Sequence, residues 1–353
     1  MTQTNVKTTQ AGQFQADREA FPVASGDTMK AIVYTHYGSP DVLQLKEVAK
    51  PTPQDHEVLV HVHAVSVNAA DWHLLRGKPL LMRLMGYGFL KPKHTILGAA
   101  MAGRVEAVGR NATQFQSGDE IFGDLTKSGF GAFAEYVCAR EDALALKPAN
   151  VTFEQAAAVP LAAVTALQGL RAKGQIQLGQ QVLIHGASGG VGTFAVQIAK
   201  AFGAQVTAVC STRNVDLVRS LGADQVIDYT QEDFTKNGQR YDFIFAVNGY
   251  HSIFDYKRAL NPKGVYVMIG GSMAAMVQAM LLGPVMSMTG RQKMGSMGVA
   301  KPNQKDLVFM KELLEAGKVK PVIDRRYPFG ETAAALRYLE KGHAQGKVVI
   351  TMA

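Results

Sequence analysis

From Val182 to Gly203 the chain passes through an apolar strand, a glycine-rich turn and an amphipathic helix without interruption. No other segment limits the fold as tightly. A turn without Cβ atoms lets a phosphate approach the backbone, and the positive end of the following helix faces that charge. Gly189 and Gly192 stand as the second and third glycines of a G-x-G-x-x-G pattern; Ala187 takes the first place, with Gly186 just before it. The pattern alone is weak and its flanks decide. A glycine turn that merely lets a helix cross a sheet closely would explain the glycines. It would not explain the run of strand, turn, helix and second strand, Gln205 to Cys210.

This unit sits in a longer alternation. From residue 180 onward apolar strands and helices take turns: strands at 181–185, 205–210, 225–228, 243–247 and 265–269, and helices at 191–202, 214–221 and 251–260. Continuous apolar strands separated by helices predict a doubly wound parallel sheet, which binds ligands at the carboxyl ends of its strands. Upstream, short alternating or β-branched runs at 30–35, 43–48, 57–66, 96–108 and 133–137 are punctuated by Gly and Pro, which predicts a compact, mostly β, barrel-like unit. One helix is expected over 152–170. After Pro302 two further helices lead to a last strand, 347–352, placed to return to the first sheet. The expected division is therefore an extension at 1–28, a β unit at 29–150, a parallel α/β unit at 151–300, and a return at 301–353. A chain of 353 residues is long enough for two cores.

Composition narrows the partners. The net charge is +8, yet no dense basic run or zinc-finger spacing is present, so a nucleic-acid partner is not expected. The two cysteines, Cys138 and Cys210, cannot build a disulfide framework or a four-thiolate zinc site, and they fit a reducing, cytoplasmic setting. No run of 18 apolar residues exists, so no membrane span is expected. The first 28 residues carry Asp17, Glu19 and Asp27 and lack an apolar core, unlike a signal or transit peptide.

The end of the second strand bears on coenzyme choice. An NAD site carries a carboxylate there for the ribose 2′-hydroxyl. Here Ser211 and Arg213 follow the strand and no acid comes before Asp216. A hydroxyl and a guanidinium suit a 2′-phosphate, so NADPH is the expected cofactor. The competing reading is a surface arginine opening a helix that Ser211 or Asn214 caps.

Further stretches align with this unit: Met29 to Tyr34, Val67 to Asp71 (N-x-x-D), Ser117 to Gly123, Gly129 to Tyr136, Ala158 to Ala166, Leu221 to Tyr229, and Gly342 to Val349. Together they resemble the medium-chain dehydrogenase/reductase superfamily, in its zinc-independent quinone oxidoreductase (zeta-crystallin-like) branch. The resemblance spans residues 29–353. It implies a GroES-like, mostly β catalytic domain, a Rossmann domain and a cleft between them. It further implies that Thr165, Gly189, Gly190, Val191 and Gly192 contact the nicotinamide half and the pyrophosphate, and that Ser211, Arg213 and Tyr229 surround the 2′-phosphate. Asn248, Gly270 and Gly271 would close over ribose and nicotinamide, Lys347 would reach in from the C-terminal segment, and Asn68 would approach nicotinamide and substrate. Relatives often pair through the edge of the parallel sheet, which leaves a homodimer open.

Zinc-dependent members of that superfamily hold the metal with Cys, His and Cys. Asn68, Ala99 and Leu161 or Ala162 occupy those regions here, and the four cysteines of the structural lobe are absent. His61, His63, His73 and His94 are close in sequence without a cysteine nearby, so no metal is expected. The chain also departs from its relatives at Ala100, where they usually carry an acid.

Without a Lewis acid, conjugated acceptors are the easier substrates, because conjugation spreads the developing charge. The expected reaction is hydride transfer from NADPH to an enone, an enal or a quinone, a small-molecule substrate in each case. Asn68, Asp71 and Tyr87 are the candidate catalytic groups, with Asp71 equally suited to holding its loop and Tyr87 set in a glycine-flanked, lid-like stretch. Two other readings stay open: a zinc-independent carbonyl reductase or alcohol dehydrogenase, and an NADPH-binding sensor or structural protein with little turnover. Seven of the fifteen methionines fall between 273 and 297. They suit an apolar lid or pocket wall, core filling, or a dimer contact.

Overall fold

The computed structural model describes residues 27–80, 83–172 and 176–352; the expected extension lies outside these except for Asp27 and Thr28. Strands β1 (Thr28–Val33) and β2 (Gln44–Ala49) form an antiparallel pair. A seven-stranded sheet follows, built from β3 (Glu57–Val67), β4 (Ala100–Val108), β5 (Glu120–Asp124), β6 (Tyr136–Arg140) and β7 (Leu144–Leu146), with two strands from the far end of the chain, β14 (Ile323–Pro328) and β15 (Lys347–Thr351). Its order is β14-β15-β3-β4-β5-β7, and β6 also pairs with β3. The strand expected over 96–108 starts at Ala100, and that expected over 133–137 starts at Tyr136. The last strand does return to the first sheet: β15 runs antiparallel to β3, with Val348 opposite Val67. Helix α1 (Ala69–Arg76) leaves β3 directly and ends at Gly77 in the left-handed conformation, which the missing Cβ permits.

The second sheet is wholly parallel, in the order β10-β9-β8-β11-β12-β13. Its strands are β8 (Gln181–His185), β9 (Gln205–Cys210), β10 (Gln225–Asp228), β11 (Tyr241–Ala246), β12 (Leu260–Met268) and β13 (Lys293–Ser296). Both faces are covered, which is why Val182, Leu183 and Ile184 are apolar in succession and fully buried. The chain leaves β8 in opposite directions to reach β9 and β11, so the strand order reverses there and opens a crevice at the carboxyl ends.

The helix expected over 152–170 is two helices. Thr152 caps α2 (Phe153–Ala157), its hydroxyl accepting from Gln155 N, and Pro160 opens α3 (Pro160–Arg171). Proline lacks an N–H and suits the first turn of a new helix rather than the interior of an old one. Helix α4 (Gly190–Ala201) follows the glycine turn, and α5 (Val215–Ser220), α6 (Ile253–Arg258) and α7 (Met273–Thr289) complete the parallel unit. Helices α8 (Gln304–Glu315) and α9 (Thr332–Glu340) carry the chain back to the first sheet. One core lies between α2–α4, α8 and the parallel sheet, a second fills the catalytic sheet, and a third covers the opposite face of the parallel sheet around Tyr241, Tyr256 and Tyr266.

Candidate active site at the glycine turn and the returning strand

Gly189 caps α4 in an extended conformation. A Cβ built there would meet nothing nearer than Gly186 O at 3.8 Å, so the turn leaves open space on the side that a phosphate needs. Gly186 holds φ +87°, and a Cβ on Gly192 would lie 2.1 Å from Gly186 O. These two glycines therefore fold the turn against its own helix, while Gly189 leaves room for a ligand. Gly190 and Val191 are half-buried in the first turn of α4. A Cβ on Gly190 would stand 3.0 Å from Lys347 Cδ, and Gly189 bridges to Gly346. The C-terminal segment thus lies directly on the glycine turn.

Lys347 joins this turn to the catalytic sheet. Its ammonium donates to Asn68 Oδ1 at 2.6 Å and, at 3.4 Å, to Val67 O. Asn68 Nδ2 donates to Ser66 O at 2.7 Å, which leaves one amide hydrogen uncommitted. Asp71 is fully buried and its carboxylate accepts from Asn68 N (2.8 Å) and Gly98 N (3.2 Å). Asp71, expected either as a catalytic group or as a support for its loop, holds the Asn68 backbone. Burial pushes its carboxyl up to about 6, against the pull of the two amides and of Lys347. Burial likewise brings the Lys347 ammonium down to about 8, opposed by the nearby Asp71 charge.

Beyond β9 the structure gathers Ser211, Thr212, Arg213, Tyr229 and His343 around a pocket of about 280 Å³ with no carboxylate in its lining. Arg213 is exposed, and its guanidinium donates to His343 O at 3.2 Å. Asn214 Nδ2 donates to both Ser188 Oγ (2.9 Å) and Ser211 Oγ (3.1 Å), tying the pocket to the glycine turn; among the described residues its buried Oδ1 has no partner. Tyr229 and the half-exposed Tyr250 meet edge to face, 6.2 Å apart. Sequence reasoning missed His343 and Tyr250. His343 lies inside the Gly342–Gly346 stretch singled out for other reasons, and Tyr250 is an aromatic residue two places past Asn248.

The remaining candidates divide. Asn248 is exposed at the end of β11, and a Cβ on Gly186 would be 3.0 Å from its own Cβ. Gly270 and Gly271 interlock with Gly249, which donates to Gly270 O at 2.9 Å and accepts from Ser272 N at 2.9 Å; a Cβ on Gly271 would lie 1.9 Å from Gly249 O. These loops crowd the crevice beside the turn. Thr165, half-buried on α3, donates its hydroxyl back to Leu161 O at 2.6 Å. Tyr87 ends a π-helical turn over Arg83–Tyr87 and tilts against Phe130, its carbonyl held by the Tyr37 hydroxyl at 2.9 Å.

His61 and His63 meet edge to face, 5.0 Å apart, and each also has an aromatic partner. His61 stacks on Tyr136, His63 on Phe153, and His73 donates to Lys78 O at 2.9 Å. Among the described residues no three His, Cys, Asp or Glu side chains come together as a metal site.

The family model for the alcohol dehydrogenase GroES-like domain matches residues 54–149, and the model named zinc-binding dehydrogenase matches 221–350. The chain is 36% identical to the 2-methylene-furan-3-one reductase of Solanum lycopersicum over 351 residues, covering 96% of this chain and 83% of that protein. It is 36% identical to the chloroplastic NADPH-dependent alkenal/one oxidoreductase of Arabidopsis thaliana over 334 residues, 91% and 79% of the two chains. Among solved structures it superposes on the quinone oxidoreductase of Coxiella burnetii with a TM-score of 0.80 at 29% identity, covering 93% of this chain and 100% of that one. With a GroES-like sheet, a parallel Rossmann-type sheet and these relatives, the chain belongs to the medium-chain dehydrogenase/reductase superfamily, in its zinc-independent quinone oxidoreductase branch.

Proposed function

We propose that this chain is an NADPH-dependent oxidoreductase that reduces activated alkenes, meaning enones and enals, or quinones. One observation carries the coenzyme assignment: the pocket past β9 is lined by Arg213, Ser211 and Thr212 with no acid among its lining residues, the neighbouring Asp228 carboxylate being taken up by the Thr212 and Thr230 hydroxyls. The cradle also fits the rest of the coenzyme, since Gly189 leaves the space a pyrophosphate requires at the head of α4.

NADPH, when bound, supplies the hydride. The chain's own residues position and polarise. Ser211 and Arg213 bind the 2′-phosphate, with Arg213 fixed by His343 O. Gly189 to Gly192 present backbone amides to the pyrophosphate, and the Lys347 ammonium adds positive charge across the turn. Asn68, held by Ser66 O on one side and Lys347 on the other, offers its uncommitted amide hydrogen to the substrate oxygen, where charge accumulates during reduction. Asp71 keeps that amide in place. The interlocked Gly249, Gly270 and Gly271 would present backbone to the nicotinamide end of the bound coenzyme.

Steady-state oxidation of NADPH, measured against a panel of enones, enals, quinones, aldehydes and secondary alcohols, tests this reading. Turnover concentrated on the conjugated acceptors supports it. Turnover confined to aldehydes and alcohols, or tight NADPH binding with no turnover, would overturn it.

A further inference from the structure

Helix α7 carries no charged residue, and neither does the whole stretch from Gly264 to Gly290. Only a narrow stripe of it is buried: Ala275, Ala279, Gly283 and Met286. That stripe is pinned to β13. A Cβ on Gly283 would lie 2.7 Å from Gly295 Cα, and Ser287 Oγ donates to Gly283 O at 2.7 Å while accepting from Met294 N at 2.8 Å. The other faces point outward. Met280 is 62%, Leu281 61% and Met288 86% exposed. A helix on the surface of a globular protein normally turns a polar face to water. This one has only Gln278, Ser287 and Thr289 as polar side chains and turns Met273, Met280, Leu281, Val285 and Met288 outward, far more than a scattered surface leucine.

Its surroundings are basic. From Tyr256 to Lys305 the chain holds seven Lys or Arg residues and no Asp or Glu. Gln292 Nε2 donates to Lys257 O (3.1 Å) and Asn261 O (3.1 Å), which brings the end of α6 and the start of β12 against the turn after α7. Lys257, Lys263, Arg291 and Lys293 therefore collect at the C-terminal end of the helix. All four are exposed, and among the described residues none of them forms a salt bridge. An anionic surface with an apolar interior satisfies both features together.

We infer that α7 docks on an anionic lipid bilayer, lying in the plane of the interface with its Met and Leu side chains among the upper acyl carbons and the Lys257–Lys293 collar on the headgroup phosphates. Its 17 residues span about 26 Å, short of the roughly 30 Å hydrocarbon layer. Among the described residues no helix is long and apolar enough to cross a membrane. The inference does not depend on the reaction proposed above.

Flotation of the full-length chain with vesicles of phosphatidylcholine, alone or mixed with phosphatidylglycerol, tests it. The chain is expected to float with the mixed vesicles and to be released by salt. The double variant M280E/L281E should abolish flotation. The variant R291Q/K293Q should weaken partitioning about twenty-five-fold, about fivefold for each charge. All substituted side chains are exposed, and an unchanged melting temperature establishes that each variant is folded. The inference is overturned by absence of flotation, by equal binding to neutral vesicles, or by M280E/L281E converting a dimer to a monomer in a chain that never binds vesicles.

Discussion

Replacing Lys347 with Met separates its part in binding from its part in stability. Burial brings its ammonium from the ordinary 10.5 down to about 8, a disadvantage of about 3 kcal/mol for the charged form in the folded chain. Met removes that disadvantage and also removes the donor 2.6 Å from Asn68 Oδ1, a loss of about 1–3 kcal/mol. The two changes oppose each other, so urea denaturation should show a net change under about 2 kcal/mol. Coenzyme binding has no such offset. A charge-assisted contact to phosphate contributes about 1.5–3 kcal/mol, so the Kd for NADPH should rise about ten- to hundredfold. The pH dependence follows from the same group. Lys347 is charged below about 8, so wild-type affinity should hold below that value and fall as pH rises through it; K347M should lack this fall. Between about 8 and 10.5 the unfolded chain holds a proton that the folded chain lacks, so this site's contribution to stability rises with pH over that window. Titration calorimetry or fluorescence quenching with NADPH from pH 6 to pH 10 reads both effects. A Kd within twofold of wild type, or the same decline in the variant, would refute the role given to Lys347.

Three further outcomes are expected. Arg213→Asp should raise the KM for NADPH about tenfold, the contact being exposed, and leave that for NADH unchanged or lower; an unaltered preference removes Arg213 from the site. Gly192→Ala forces a Cβ to 2.1 Å from Gly186 O and should lower stability by about 2–3 kcal/mol along with NADPH binding, whereas Gly189→Ala, with its Cβ in open space, should keep the stability and lose affinity. Denaturation and binding isotherms for this pair would expose any error by showing equal stability losses. Dialysis against a chelator should leave turnover of conjugated substrates unchanged, and metal analysis should find less than one zinc per chain; loss of activity restored by zinc would contradict this.

What the sequence revealed was mostly local. The β8–turn–α4 run is a contiguous pattern whose apolar strand, glycines and helix each follow from neighbouring residues, and it folds as expected. The last strand, read as one that could return to the first sheet, does pair there with β3. The misses are places where tertiary contact overrides local signal. β13, Lys293-Met-Gly-Ser, has no β-branched residue and is a strand only because β12 offers its edge and α7 covers it. The split between α2 and α3 was readable, since Pro160 marks it, but the surrounding Ala-rich helical pattern masked the break. His343 meets Arg213 across 130 residues, through a backbone carbonyl, and no local pattern announces such a contact. Asp71 illustrates the limit of motif reading: the N-x-x-D spacing places Asp71 at the third residue of α1, and only the structure shows both carboxylate oxygens taken up by backbone amides.

The alanine at position 100 becomes intelligible in the same terms. In the strand register Ser66, Ala100 and Asp124 lie side by side across β3, β4 and β5, so their side chains share one face. Asp124 is buried, and burial pushes its carboxyl upward; its charge in turn helps to raise that of Asp71. Ser66 Oγ is buried there with no hydrogen-bond partner among the described residues. Lys347 is the cation that opposes the Asp71 shift, and it donates to Asn68 and Val67. A carboxylate at position 100 would be a third acid in this group, where Lys347 already acts on Asp71 and Lys127 on Asp124, and a buried charge without its own partner is costly. An alanine avoids that repulsion and keeps Lys347 available to Asn68 and to the glycine turn. The residue that departs from the family pattern and the lysine that bridges the two domains are therefore parts of one electrostatic arrangement.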